Sequence, residues 1–96
     1  MKAYYVAQIT IRDADLYKEV QSRFPGVFEK YEGRVLAADS SYDVLAGKMN
    51  AGRIVILEFP SDEALKRWYY SPEYQETVKV REQAADADIV LVHGAA

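Results

Sequence analysis

Cysteine is absent from this 96-residue sequence, and histidine occurs once, as His93. Without thiols the chain can form no disulfide bond, no thiolate nucleophile and no cysteine-ligated metal site. A single histidine also excludes a site in which two histidines of one chain hold a metal. Glycine-rich phosphate loops, nucleophile elbows and metal-binding motifs are missing as well. We therefore expect neither a metal nor a cofactor.

Clustered basic charge and long apolar runs are absent too. The net charge is −3 and the sequence pI is about 5.1, which is the opposite of the basic footprint of a nucleic-acid-binding domain. No run approaches the roughly 18 apolar residues of a membrane span, and the first residues lack a signal-peptide pattern. We expect a cytoplasmic protein with neither a nucleic-acid nor a membrane partner.

The residues that are present predict one α+β domain over residues 1–96, because half of the chain is apolar and the length suits a single core. Apolar periodicity predicts the order strand, helix, strand, strand, helix, strand. The predicted strands are Tyr4–Arg12, Arg34–Asp39, Arg53–Phe59 and Ala87–His93. Sequential pairing and right-handed crossovers favour a ferredoxin-like βαββαβ sandwich, with a four-stranded antiparallel sheet in the order 4-1-3-2 and helices on one face.

Serine, proline and glycine residues mark the predicted helix ends. Ser61 and Ser71 are each placed to cap a helix start, and Pro72 suits the first position of the second of these segments. Pro25 lies inside the stripe of the first helix, so we expect a kink or a split near residues 23–24. Gly33 is the candidate cap at the end of that helical stretch.

The second face of the predicted sheet has no helix to cover it. Alternation of side chains assigns Val90 and Val92 to the helix side. The aliphatic residues assigned to this open face are Val6, Ile54, Ile56, Ile89 and Leu91. If these side chains stay in water, the protein loses several kcal/mol of hydrophobic stabilisation, at roughly 25 cal/mol per Å² of apolar surface. Contiguous apolar patches of this kind mark partner sites. We therefore expect a homodimer in which two sheets face each other and a cavity on the open face binds a small organic molecule.

Three sequence motifs are similar to those of an uncharacterised family, domain of unknown function 1330. They are VILEFPS at residues 55–61, W-Y-x-S-P-E-Y at residues 68–74 and A-D-A-D-I-V-L-V-x-G at residues 85–94. The resemblance covers nearly the whole chain and implies the dimeric α+β barrel superfamily, which also contains cofactor-free monooxygenases, lactone isomerases and haem-binding enzymes. It implies the paired-sheet dimer but no particular reaction.

Glu58 and His93 are the candidate catalytic bases. Glu58 is an acid within the most apolar strand, and titratable groups in such surroundings are common at functional sites; the alternative is an ion pair with Arg12 or Arg34. His93 has the side chain that titrates nearest neutral pH, and the alternative is a partly exposed residue at a strand end. In the predicted sheet the first and third strands run parallel and the fourth runs back, so the two side chains lie roughly 20 Å apart in one subunit. They can form a dyad only in a dimer that brings opposite strand ends together.

Four further residues are candidates for ligand binding: Gln8, Thr10, Arg34 and Trp68. Gln8 and Thr10 offer hydrogen bonds on the open face, and Arg34, like Arg53, suits a carboxylate. The alternatives are hydrated polar groups, solvated charges at strand ends and, for Trp68, a place in the core.

Three functions stay open at this point. The first is a homodimer that binds a small organic molecule. The second is a cofactor-free monooxygenase or isomerase that acts on an aromatic or lactone substrate, with Glu58 or His93 as the base. The third is a purely structural interaction module whose interior is filled by its own side chains.

Overall fold

The computed structural model describes residues 1–50 and 52–95, without the side chains of residues 25–27. The strands in these ranges are β1 Ala3–Ile11, β2 Arg34–Asp39, β3 Arg53–Phe59 and β4 Ala85–His93. The helices are α1 Ala14–Phe28, α2 Asp62–Tyr69 and α3 Pro72–Ala84, with a short 3₁₀ helix at Glu29–Tyr31. Within the described ranges, no helix is both long enough and apolar enough to cross a membrane.

The four strands form one antiparallel sheet in the order β2-β3-β1-β4. This confirms the predicted α+β class and the 4-1-3-2 order. The expectation that the first and third strands run parallel is wrong, because β1 pairs antiparallel with β3 and places Tyr4 opposite Glu58. The crossover through α1 places β2 parallel to β1, with space for one strand between them. β3 then runs antiparallel to both and occupies that space.

Local capping signals set the starts of α2 and α3 as predicted. The Ser61 hydroxyl accepts a hydrogen bond from the Ala64 N–H at 3.1 Å, and the Ser71 hydroxyl accepts one from the Tyr74 N–H at 3.1 Å. Pro72 occupies the first turn of α3. Each cap satisfies one of the backbone donors that a helix start leaves without a partner.

The predicted split near residues 23–24 is wrong, since α1 continues to Phe28 before the 3₁₀ helix begins, and a kink there stays a prediction. Phe24 and Phe28 lie one turn apart on either side of Pro25, and their rings stack at 4.7 Å. Packing of this stripe outweighs the single backbone donor that proline removes. The cap residue is Glu32, in the left-handed region with φ 63°, rather than Gly33. Gly33 is required for a different reason, because a Cβ there would overlap the Phe28 ring.

Aromatic side chains fill the space between the sheet and the helices. Trp68 of α2 is fully buried at the centre. Its ring centroid lies 4.2 Å from that of Tyr74, 5.2 Å from Phe59 and 5.4 Å from Tyr5. Pairs at these distances stabilise the core beyond the area that they bury.

The two faces of β4 are the reverse of those predicted. Val90 lies opposite Val6, and Leu91 lies opposite Tyr5. Residues directly opposite each other share a face, so Val90 and Val92 lie on the open face, 57% and 45% exposed, while Ile89 and Leu91 pack against the core. Residues 89–92 are all aliphatic, so their alternation contains no difference in polarity that selects a face.

Candidate functional site

A cavity of about 200 Å³ lies between the helix-covered face of the sheet and helices α1 and α3. We call it the sheet–helix cavity. Its polar and aromatic lining residues include Tyr5, Tyr17, Gln21, Arg53, Tyr74 and Arg81. The other walls are apolar side chains of β1, β2, β3 and α1, and none of the lining residues is acidic. The cavity therefore combines apolar walls with a few hydrogen-bond donors, which is the usual composition of a small-molecule site.

The edge strand β2 forms one rim of this cavity. The pairing of β2 with β3 shifts between Val35 and Ala37, which leaves Leu36 as the extra residue of a β-bulge. Val35 and Ala38 consequently face the cavity together, whereas Ala37, opposite Ile56, faces the open side. Val35 and Ala38 are both exposed, so the cavity reaches solvent at this edge.

The three tyrosines of the cavity keep their protons at neutral pH. Burial, together with interaction with Tyr74, raises the pKa of Tyr5 far above its usual range. Burial also raises the pKa of Tyr74 and of Tyr17, against the opposing effect of Arg81 on Tyr74 and of Arg53 and Arg81 on Tyr17. These hydroxyls are hydrogen-bond donors and acceptors, not bases.

Two arginines line the same cavity. Arg81 of α3 is 8% exposed, and its Nη1 donates to the Tyr74 hydroxyl at 3.4 Å. Arg53 of β3 donates from Nη1 to the Ser40 hydroxyl at 3.0 Å, while its buried Nε has no hydrogen-bond partner among the described residues. Burial alone lowers the pKa of Arg81, but Tyr74, Tyr69 and Tyr5 outweigh it and the net pKa is raised. Arginine side chains stay protonated in proteins, so the cavity is lined by two positive charges.

The sequence reasoning named Arg53 but missed Arg81 and Gln21 as lining residues, whereas Tyr17 belongs to a set of helical tyrosines whose hydroxyls the sequence allows at a pocket rim. Arg81 follows Tyr74 and Val78 at helical spacing on the buried side of α3. A basic residue on an otherwise apolar helical stripe is a signal of a buried charge, and it was available from the sequence. Gln21 of α1 carries no comparable signal.

The predicted ligand-binding residues Gln8 and Thr10 lie together on the open face. They border a wider and more polar hollow of about 400 Å³, together with Asp88 and the loop residues 48–50. The Gln8 amide nitrogen lies 3.9 Å from the Met49 sulfur. This hollow occupies the face on which the sequence predicted a ligand, but its lining is mainly polar.

Glu58 forms ion pairs on the open face. Its Oε1 lies 3.3 Å from Lys2 Nζ and 3.5 Å from Arg34 Nη2, and its side chain is 14% exposed. Arg34 sits directly opposite Glu58 in the sheet. The predicted catalytic acid and one predicted ligand-binding arginine thus neutralise each other, as the ion-pair alternative expects, although the partner is Arg34 and not Arg12.

His93 lies on the helix side of the sheet edge, opposite Ala3. Its Nε2 is 3.0 Å from Asp62 Oδ2 in the first turn of α2, and its side chain is 63% exposed. Because β1 and β3 are antiparallel, Glu58 and His93 flank the same end of β1, so the predicted separation along the strand is wrong. They point to opposite faces and each has another partner, so they form no dyad.

Trp68 does not line the sheet–helix cavity. It contacts Tyr5 and Tyr74, which do line it, and its indole N–H has no acceptor among the described residues. Its place is the core. The described part of the chain also contains no cluster of three or more histidine, cysteine or acidic residues that is suited to a metal ion.

The chain belongs to the family described as domain of unknown function (DUF1330), whose model matches residues 2–95. This confirms the resemblance read from the motifs. No protein of curated function matches the sequence.

Solved structures confirm the ferredoxin-like fold. A protein of unknown function from Rhodopseudomonas palustris, RPA0582, superposes with a TM-score of 0.82 at 21% identity, over 99% of this chain and 83% of the other. A dimeric ferredoxin-like protein of unknown function from Jannaschia sp. CCS1 has a TM-score of 0.79 at 12% identity, over 98% and 100%. SnoaB from Streptomyces nogalater, a cofactor-independent oxygenase, has a TM-score of 0.69 at 12% identity, over 99% and 94%. These likenesses show the fold alone.

Proposed function

We propose that this member of the DUF1330 family is a homodimer that binds a small organic molecule in the sheet–helix cavity of each subunit. The observation that carries the proposal is the cavity itself, with apolar walls, buried tyrosine hydroxyls and an opening at β2. An apolar cavity of about 150 Å³ accommodates benzene in another protein. A cavity of about 200 Å³ therefore has room for one substituted ring or a branched aliphatic molecule.

The dimer component of the proposal rests on the open face. Five aliphatic side chains lie there: Val6, Ile54, Ile56, Val90 and Val92. Two of these differ from the predicted set, but the patch keeps its size because Val90 and Val92 replace Ile89 and Leu91. A contiguous apolar sheet face is typical of a partner site, and the Jannaschia neighbour is described as dimeric.

The choice of the sheet–helix cavity over the open face follows from the two linings. The hollow beside Gln8 and Thr10 is mainly polar and borders the proposed dimer interface, where side chains of a second copy would fill it. The sheet–helix cavity lies away from that interface, so dimer formation leaves it intact. A ligand on the open face, bound by Gln8, Thr10 or Arg34, stays an alternative prediction.

Ligand-observed NMR with benzyl alcohol, a neutral aromatic probe, tests the cavity. We expect saturation transfer to the probe and line broadening of cavity residues such as Tyr17. In the variant Ala38→Phe the added ring blocks the rim of the cavity, and binding should be lost. The matched control is Ala46→Phe, the same change at an exposed loop position away from both the cavity and the open face. Binding that is unaffected by Ala38→Phe, or no binding by the wild type, would contradict the proposal.

Catalysis by Glu58 or His93 on an aromatic or lactone substrate is the second candidate. It draws support from the fold shared with SnoaB, a cofactor-independent oxygenase. A substrate screen that finds turnover, followed by Glu58→Gln and His93→Ala, tests it. Unchanged turnover in both variants would remove both side chains from the mechanism.

A further inference from the structure

We infer that the molecule bound in the sheet–helix cavity is a small apolar carboxylic acid, whose carboxylate is held by Arg53 and Arg81. The inference rests on the proposed function and adds the chemical class of the ligand. Both arginines line the cavity, and no acidic residue lines it. Their ion-pair partner must therefore come from outside the described residues.

The contrast with the exposed arginines supports this inference. Arg12, Arg23 and Arg34 lie on the surface, and each has a carboxylate oxygen within 2.9 to 3.5 Å. The two arginines of the cavity form no ion pair among the described residues, although burial makes a partner more important to them. The exposed Arg67 has no ion pair among the described residues either, but a guanidinium at the surface is solvated by water. The described side-chain hydrogen-bond partners of the buried Arg81 and the half-buried Arg53 are neutral hydroxyls, those of Tyr74 and Ser40. An anion that enters the cavity would supply an ionic partner to both.

The two guanidinium groups act on one location. Arg53, Arg81 and Tyr17 line the same cavity, and the two arginines both lower the pKa of Tyr17 against the effect of burial. Arg53 approaches from β3 and Arg81 from α3, on opposite walls of the cavity. An anion beside Tyr17 would receive hydrogen bonds from two guanidinium groups and one phenol, which is the donor geometry that carboxylates favour.

The rest of the cavity determines the non-polar part of the ligand. Ile9, Val20, Phe24, Val55 and Leu57 form walls without charge. A volume of about 200 Å³ admits a ring or a short branched chain but not an extended fatty acid. We therefore expect an aromatic or branched aliphatic acid.

The decisive measurement compares benzoate with benzamide, which has the same shape and no charge. Isothermal titration of the wild type should show that benzoate binds about ten- to a hundred-fold more tightly, since hydrogen bonds to a charged group are the stronger ones. Equal affinity for both probes would overturn the carboxylate inference and leave the cavity as a binding site. No affinity for benzoate, benzamide or benzyl alcohol would overturn the proposed function itself.

Variants then assign the charge to the two arginines. Arg81→Met and Arg53→Met should each abolish the preference for benzoate while benzamide still binds. Arg67→Met, at an exposed position of α2, is the matched control and should keep the preference. Arg81→Met should lower the melting temperature of the ligand-free protein only modestly, because the hydrogen bond from Arg81 to the Tyr74 hydroxyl is lost while the apolar part of the side chain is kept. A loss of folding in Arg81→Met would indicate a structural role for Arg81, and retention of the preference in Arg53→Met would overturn the assignment.

Discussion

The two faces of the sheet contain similar side chains and differ in what covers them. On the helix side, residues such as Tyr5, Leu57 and Phe59 are almost entirely buried by α1, α2 and α3. On the open side, Val90 and Val92 keep about half of their surface in water. One face is completed by the chain itself, and the other offers the same kind of apolar surface without a cover. We therefore expect stability and the proposed assembly to depend on separate sets of residues.

Removal of the central side chain of the covered face should have the largest effect. Trp68→Ala deletes a fully buried ring that contacts Tyr5, Phe59 and Tyr74. We expect a loss of about 3–5 kcal/mol in the free energy of unfolding, measured by chemical denaturation. Tyr70→Ala, two residues away and 70% exposed, is the control and should change it by about 0.5 kcal/mol or less. Similar losses in the two variants would contradict the position of Trp68 at the centre of the core.

A charge on the open face should separate assembly from folding. Ile56→Asp places a carboxylate in the middle of the aliphatic patch, where burial against a second copy is costly. We expect the dimer to weaken about a hundred-fold or more, measured by sedimentation or light scattering at micromolar concentration. Gln83→Asp, which adds the same acid at an exposed position of α3, should leave the dimer intact. A wild-type protein that is already monomeric would refute the open face as a dimer interface.

High pH should destabilise the covered face. The pKa of Tyr5 and that of Tyr74 are raised by burial above the ordinary value of 10.0. The unfolded chain therefore releases protons above that pH while the folded chain keeps them. Stability is fully present below pH 10 and falls as pH rises, by about 1.4 kcal/mol per pH unit for each such tyrosine.

Tyrosinate absorbance and circular dichroism, followed together during an alkaline titration, check this expectation. Tyr5 and Tyr74 should ionise only as the protein unfolds, so part of the rise in tyrosinate absorbance should coincide with the loss of circular dichroism. In Tyr5→Phe the decrease of the free energy of unfolding with rising pH should become less steep. Full ionisation of every tyrosine in a folded protein would contradict the burial of Tyr5 and Tyr74.

The smallest effect concerns the start of a covering helix. Ser71→Ala removes the hydroxyl that accepts from the Tyr74 N–H and donates to the Trp68 carbonyl at 2.7 Å. The expected loss is about 1 kcal/mol in the free energy of unfolding, measured by thermal or chemical denaturation. Ser41→Ala, at an exposed loop position, serves as the control. If Ser71→Ala loses no more free energy of unfolding than Ser41→Ala, the Ser71 cap does not contribute to the stability of α3.

Sequence reasoning succeeded where the signal was local. Ser61, Ser71 and Pro72 mark helix starts through contacts within one turn, and all three act as predicted. The strands β2 and β3 also have their predicted bounds. The helix does not end before Pro25, as a local helix-breaking signal would predict, because the stacking of Phe24 on Phe28 outweighs that signal. For the candidate site, the sequence indicated that Arg53 suits a carboxylate, but it could not pair Arg53 with Arg81.

The sequence by itself determined the family, the order of the strands and helices, the α+β class and the presence of an apolar face without a helix to cover it. These follow from patterns within single segments and from the few topologies that such segments allow. Only the tertiary structure decided that β1 and β3 run antiparallel, that Val90 and Val92 lie on the open face, and that Arg53 and Arg81 line one cavity with Tyr17. Each of these depends on pairing and packing between segments distant in the chain, and an aliphatic run such as residues 89–92 carries no polarity that would reveal its orientation.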